Sequence, residues 1–98
     1  MRDLSIDIET YSEVDLGKSG LYKYCLDKSF DILLFAYSID FGPVEVADLT
    51  AGDKIPYEVI VAMADDKVIK HAYNAAFEYN CLKAYGLDVG DRIAWHCT

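Results

Sequence analysis

Ninety-eight residues, 53% of them hydrophobic and 13% aromatic, can fill the core of one domain and no more, and leave disorder without compositional support. Nine basic against seventeen acidic residues give a net charge of −8, which excludes a surface that grips nucleic acid by charge alone. Three cysteines without C-x-x-C spacing, no basic-then-apolar leader and no apolar run of membrane-spanning length set the remaining expectations: no disulfide framework, no zinc ribbon, no membrane, a cytoplasmic location.

The first element is "LSIDIETYS", Leu4 to Ser12, where Leu4, Ile6 and Ile8 alternate with Ser5, Asp7 and Glu9 as in a strand with one buried face. A polar excursion of about twenty residues follows, too long for a plain connection. It accommodates a short helix from about Leu21 to Leu26 with Ser19 as cap. Ile32 to Asp40, "ILLFAYSID", is a nearly continuous apolar run that suits a strand buried on both faces. The "DFGP" break and the alternating "VEVADL" after it complete an antiparallel hairpin. Ile55, Val59, Ile60 and Met63 have helical spacing, with Pro56 suited to a first turn.

Lys67 to Tyr73 reads as a further strand, and "NAAFEYNCLKAYG" as the clearest helix, capped by Asn74 and stopped by Gly86, with Phe77, Cys81, Leu82 and Tyr85 as its apolar face. "RIAWHCT" begins a last strand. A meander followed by helix-linked strands predicts an α/β domain: a mixed sheet of three antiparallel strands plus helix-linked parallel strands, flanked by helices.

Two groups of residues can carry chemistry. Asp7 and Glu9 lie two positions apart on one strand face, a separation of about 6.5–7 Å. That spacing can bracket two metal ions held roughly 3.5–4 Å apart, and hard carboxylate oxygens suit Mg²⁺ or Mn²⁺. A polar strand face in water satisfies the same pattern. Asn74 and Glu78 stand at a helix mouth, four residues apart and on one side of it. An ordinary N-cap with a first-turn acid favoured by the helix dipole explains them equally. His71, His96 and Cys97 lack partners for a nucleophilic site and read as structural. Tyr22 and Tyr24 are open to either packing or stacking on bases, and Tyr37 to core packing.

"LSIDIETYS" followed some sixty residues later by "NAAFE" opening a helix resembles the first two motifs of the DEDD-type 3′–5′ exonucleases, which are ribonuclease H-like proofreading domains. The intervening "SGLYKY…FDILLFAYSID" and hairpin are similar to the exonuclease portion of bacteriophage family A DNA polymerases, and the match spans essentially the whole chain. The resemblance implies that Asp7 bridges two metals, Glu9 ligates the one that activates water, and Glu78 helps hold the second. It further implies that Asn74 orients the helix start or the substrate strand, and that Thr10 and Tyr11 contact the terminal nucleotide. Glu78 stands where the family usually has Asp, and the family's third motif has no counterpart before the sequence ends at "WHCT". Residues 1–98 are thus expected to be the N-terminal part of an exonuclease domain, C-terminally incomplete and inactive or nearly so alone. Its expected partners are the 3′ end of single-stranded DNA and a polymerase domain, in a host cytoplasm if phage-encoded. A non-catalytic module of the same fold that binds DNA ends, and an endonuclease on RNA–DNA hybrids, are the rival readings.

Overall fold

Alternation along the first strand decides the layering. In the computed structural model, which describes all 98 residues, β1 (Asp3–Tyr11) buries Leu4, Ile6 and Ile8 and exposes Asp7 and Glu9. β2 (Asp31–Ile39) pairs antiparallel with it from Leu4↔Ile39 to Tyr11↔Asp31, with a bulge after Glu9. β3 (Val44–Asp48) closes the hairpin. Its turn carries Asp40 and Phe41 at φ 50° and 59°, the two left-handed residues of a type I′ connection, and the Gly42 N–H donates to the Ile39 carbonyl at 2.9 Å. The Asp40 carboxylate accepts from the Arg2 and Asp3 N–H groups at 2.8 and 2.9 Å, which ties the turn to the start of β1.

The excursion after β1 forms two short helices, α1 (Leu16–Ser19) and α2 (Leu21–Leu26). Ser19 does not cap the second: it ends the first, and Gly20 at φ 87° breaks the two apart in a conformation that side chains resist. α3 (Tyr57–Ala64) buries Val59, Ala62 and Met63 and leads into β4 (Ile69–Ala72), which runs parallel to β1. α4 (Ala75–Ala84) then returns the chain to β5 (Trp95–Cys97), parallel to β4. Arg92 to Ala94, expected to start that strand, form a 3₁₀ turn instead, begun by the Asp91 side chain accepting from the Ile93 N–H.

The sheet order is β3-β2-β1-β4-β5, a mixed sheet of the expected kind with β1 at its centre. Register places Ile39, Tyr37 and Phe35 beside Leu4, Ile6 and Ile8 on one face, and Ser38, Ala36 and Leu34 beside Ser5, Asp7 and Glu9 on the other. Buried residues of α2, α3 and α4 join the first face in a single core cluster. The second face carries exposed Val44 and Val46. This corrects the expectation for β2: on the helix-covered side it is buried at Ile32 and Phe35, whereas on the open side only Ser38, bonded to the Gly42 carbonyl at the turn, is buried.

Candidate active site where the central strands part

β1 and β4 pair only from Asp3↔Ile69 to Ser5↔His71, whereas β1 runs on to Tyr11. Past Ser5 the edge of β1 facing β4 has no strand beside it, and a crevice opens at the carboxyl end of a parallel pair. Such ends are where open α/β sheets place ligands, because the following helix begins there. Asp7 and Glu9 lie on this freed stretch and both are exposed.

α4 begins at Ala75, just past the end of β4. Asn74 caps it as expected, its side-chain oxygen accepting from the Phe77 N–H at 3.4 Å. The helix buries Ala75, Glu78, Cys81 and Leu82, whereas Phe77 is half-buried and Tyr85 exposed. The apolar stripe expected from sequence therefore has a carboxylate on its buried side in place of Tyr85. Glu78 is only 5% exposed, and its Oε2 atom has no hydrogen-bond partner. Burial pushes its carboxyl up to about 7; N–H groups at the helix start pull the other way, and the charge of Asp7 adds to the rise. The charge of Asp7 thus reaches Glu78, 71 positions further along the chain.

Thr10 is committed to the scaffold. Its hydroxyl is 2.9 Å from that of Tyr24, whose ring packs on Phe30 and Phe77 with centroids 5.9 and 6.2 Å away. These contacts tie α2 to the end of β1 and to the start of α4. Tyr11, the next residue, is 51% exposed. Of the tyrosines open to stacking, Tyr24 therefore serves packing while Tyr22 is exposed, and Tyr37 sits on the core face against Phe35.

Asp7 also borders a groove of about 300 Å³ on the helix-free face, with Ser5, Ala36, Ser38, His71 and Tyr73 among its walls. His71 donates to or accepts from Asp3 at 2.8 Å, the chain's sole ion-pair contact, so no lysine or arginine neutralises Asp7, Glu9 or Glu78. The donors fit a hard divalent cation in kind, and the orphaned, buried oxygen of Glu78 is the group that such a cation would satisfy. No three His, Cys, Asp or Glu side chains are gathered within reach of one ion, so the ligand set stays open. Sequence reasoning missed the burial of Glu78 and the place of Tyr73; the first was signalled by the i, i+3 spacing of Glu78 with Ala75 and Cys81.

No protein-family model matches the chain. Over all 98 residues it is 50% identical to a DNA polymerase of Bacillus phage SP02, of whose length it spans 15%. Among solved structures the EXD2 exonuclease domain superposes with a TM-score of 0.57 at 19% identity, over 97% of this chain and 43% of that one. The α/β fold is accordingly that of a ribonuclease H-like exonuclease domain, and no helix is long and apolar enough to cross a membrane.

Proposed function

We propose that this chain, a homologue of a phage DNA polymerase segment with the fold of an exonuclease domain, forms the first part of a 3′–5′ proofreading site that hydrolyses the terminal phosphodiester of single-stranded DNA. The observation that carries the reading is Glu78: a buried, unpartnered carboxylate in the first turn of the helix that follows a parallel strand pair, within the influence of the Asp7 charge. Burying a charge without a partner is costly, so the arrangement makes physical sense where a cation completes it.

Asp7, Glu9 and Glu78 are the residues that would hold Mg²⁺ or Mn²⁺, and such ions supply Lewis-acid stabilisation and acidify water when bound. The chain's own groups have separable tasks. Asp7 borders the groove, and its charge reaches Glu78. Glu78 holds a proton at its carboxyl below about pH 7 and must release it to act as an anionic ligand. Asn74 fixes the helix start from which Glu78 projects, and the Thr10–Tyr24 contact holds the strand end opposite.

Because the ligand set is open, the isolated chain is expected to be slow or inactive, and Mn²⁺ binding is the primary readout. Titration followed by electron paramagnetic resonance should show binding that Asp7→Ala and Glu78→Gln each weaken by about tenfold or more. In a polymerase carrying this segment, Asp7→Ala should abolish shortening from the 3′ end and spare nucleotide addition. Unchanged Mn²⁺ binding in Asp7→Ala, or shortening that survives it, would sink the proposal. Binding without any Asp7-dependent shortening would favour the non-catalytic module.

A further inference from the structure

We propose that Tyr73 is a stacking platform that positions a base of the strand entering the Asp7 crevice; the identity of that occupant rests on the exonuclease reading. Tyr73 is 86% exposed, more than any other large hydrophobic side chain. A solitary exposed tyrosine needs no explanation, and Tyr57 at 80% is such a case. Tyr73 differs because it borders the same groove as Asp7.

The backbone prepares it for the task. Tyr73 sits between the end of β4 at Ala72 and the Asn74 cap of α4, so its main chain is held from both sides and little freedom remains to be lost on binding. Ser5, Ala36 and Ser38 are small, which leaves space over the sheet beside the ring. A volume of about 300 Å³ is at the small end for a ligand site and suits one flat heterocycle rather than a folded polymer.

Charge argues for a base rather than a phosphate as the group recognised. None of the groove residues is lysine or arginine, and the chain carries a net charge of −8. Phosphate contacts alone would therefore repel, whereas base–aromatic stacking is independent of sign and tolerant of sequence. His71 is already engaged by Asp3 and by the ring of Phe41 at 5.3 Å, which leaves Tyr73 as the groove's aromatic ring free of such engagement.

The test uses the 98-residue chain and a fluorescein-labelled oligothymidylate single strand in EDTA, where hydrolysis is silent and anisotropy reads affinity. Tyr73→Ala should weaken binding by about fivefold to a hundredfold, the range of one stacked base. Tyr73→Phe should keep the wild-type affinity, and Tyr73→Trp should add an exposed indole whose emission the strand quenches. Tyr57→Ala should change nothing. Tyr73→Ala within about twofold of wild type, an equal loss in Tyr57→Ala, or no binding by the wild-type chain would each overturn the proposal. Failure of the exonuclease reading appears separately, as Mn²⁺ binding or 3′ shortening indifferent to Asp7.

Discussion

Replacing Glu78 by Gln should make the protein more stable at alkaline pH while weakening its hold on divalent cations. The carboxyl is raised from 4.5 to about 7 in the fold. Between those values the native chain binds more protons than the unfolded one, so stability falls as pH rises. The stability is full below the unfolded value and is lost progressively until the folded value is passed. A rise of this size corresponds to about 3 kcal/mol in all, most of it lost between pH 5 and pH 8. Glu78 is 5% exposed, so solvent screens little of it.

Urea unfolding of wild type and Glu78→Gln at pH 5 and pH 8 measures the effect, and taking the difference between the two proteins cancels every other titrating group. The variant should be more stable by about 1 kcal/mol at pH 5 and by roughly 3 kcal/mol at pH 8. Adding Mn²⁺ at pH 8 should stabilise wild type more than the variant. A difference between the proteins that does not change with pH would refute the account of Glu78 as a buried, cation-seeking acid.

Two further expectations test the frame around the site. Gly90 has φ +66°, and an added Cβ would lie 2.5 Å from Asp66 Oδ1 and 3.0 Å from the Ala64 carbonyl, displacing the carboxylate that accepts from the Asp91 N–H; Gly90→Ala should cost about 1–3 kcal/mol in thermal or urea unfolding. Burial pushes the Lys70 ammonium down, against the charges of Asp66 and Asp65, so wild-type stability should rise as pH climbs toward 10.5. Lys70→Met should flatten that rise and lose no more than about 1 kcal/mol at neutral pH, as alkaline urea curves would show.

Much of the sheet was legible because its signals are local. Leu4, Ile6 and Ile8 set the face of β1, Asp40 to Gly42 set the turn, and Asn74 set the start of α4. The Ser19 cap failed because a second helical turn precedes Gly20, and nothing in a four-residue pattern separates one short helix from two. Full burial of β2 failed for another reason: an apolar strand reads alike whether one or both faces are covered, and only the placement of the helices decides. Asp7, Glu9 and Glu78 were visible as carboxylates at suitable spacing, yet that Glu78 is buried and feels the charge of Asp7 depends on how α4 meets β1, a contact between distant segments.

The fold buries two charged side chains, and the contrast between them separates structure from site. Lys70 is fully buried, but its ammonium donates to the Asp65 carbonyl at 2.7 Å, beside the C-terminal end of α3 where a cation is favoured. Its polar end is satisfied within the chain, and no ligand is needed to explain it. Glu78 has no such answer: one oxygen is orphaned, the charge that bears on it is that of another acid, Asp7, and no base pairs with either. A neutral side chain there would raise stability at pH 8 by the amount worked out above. A residue that opposes folding in this way makes physical sense if it performs the cation-binding task proposed for it.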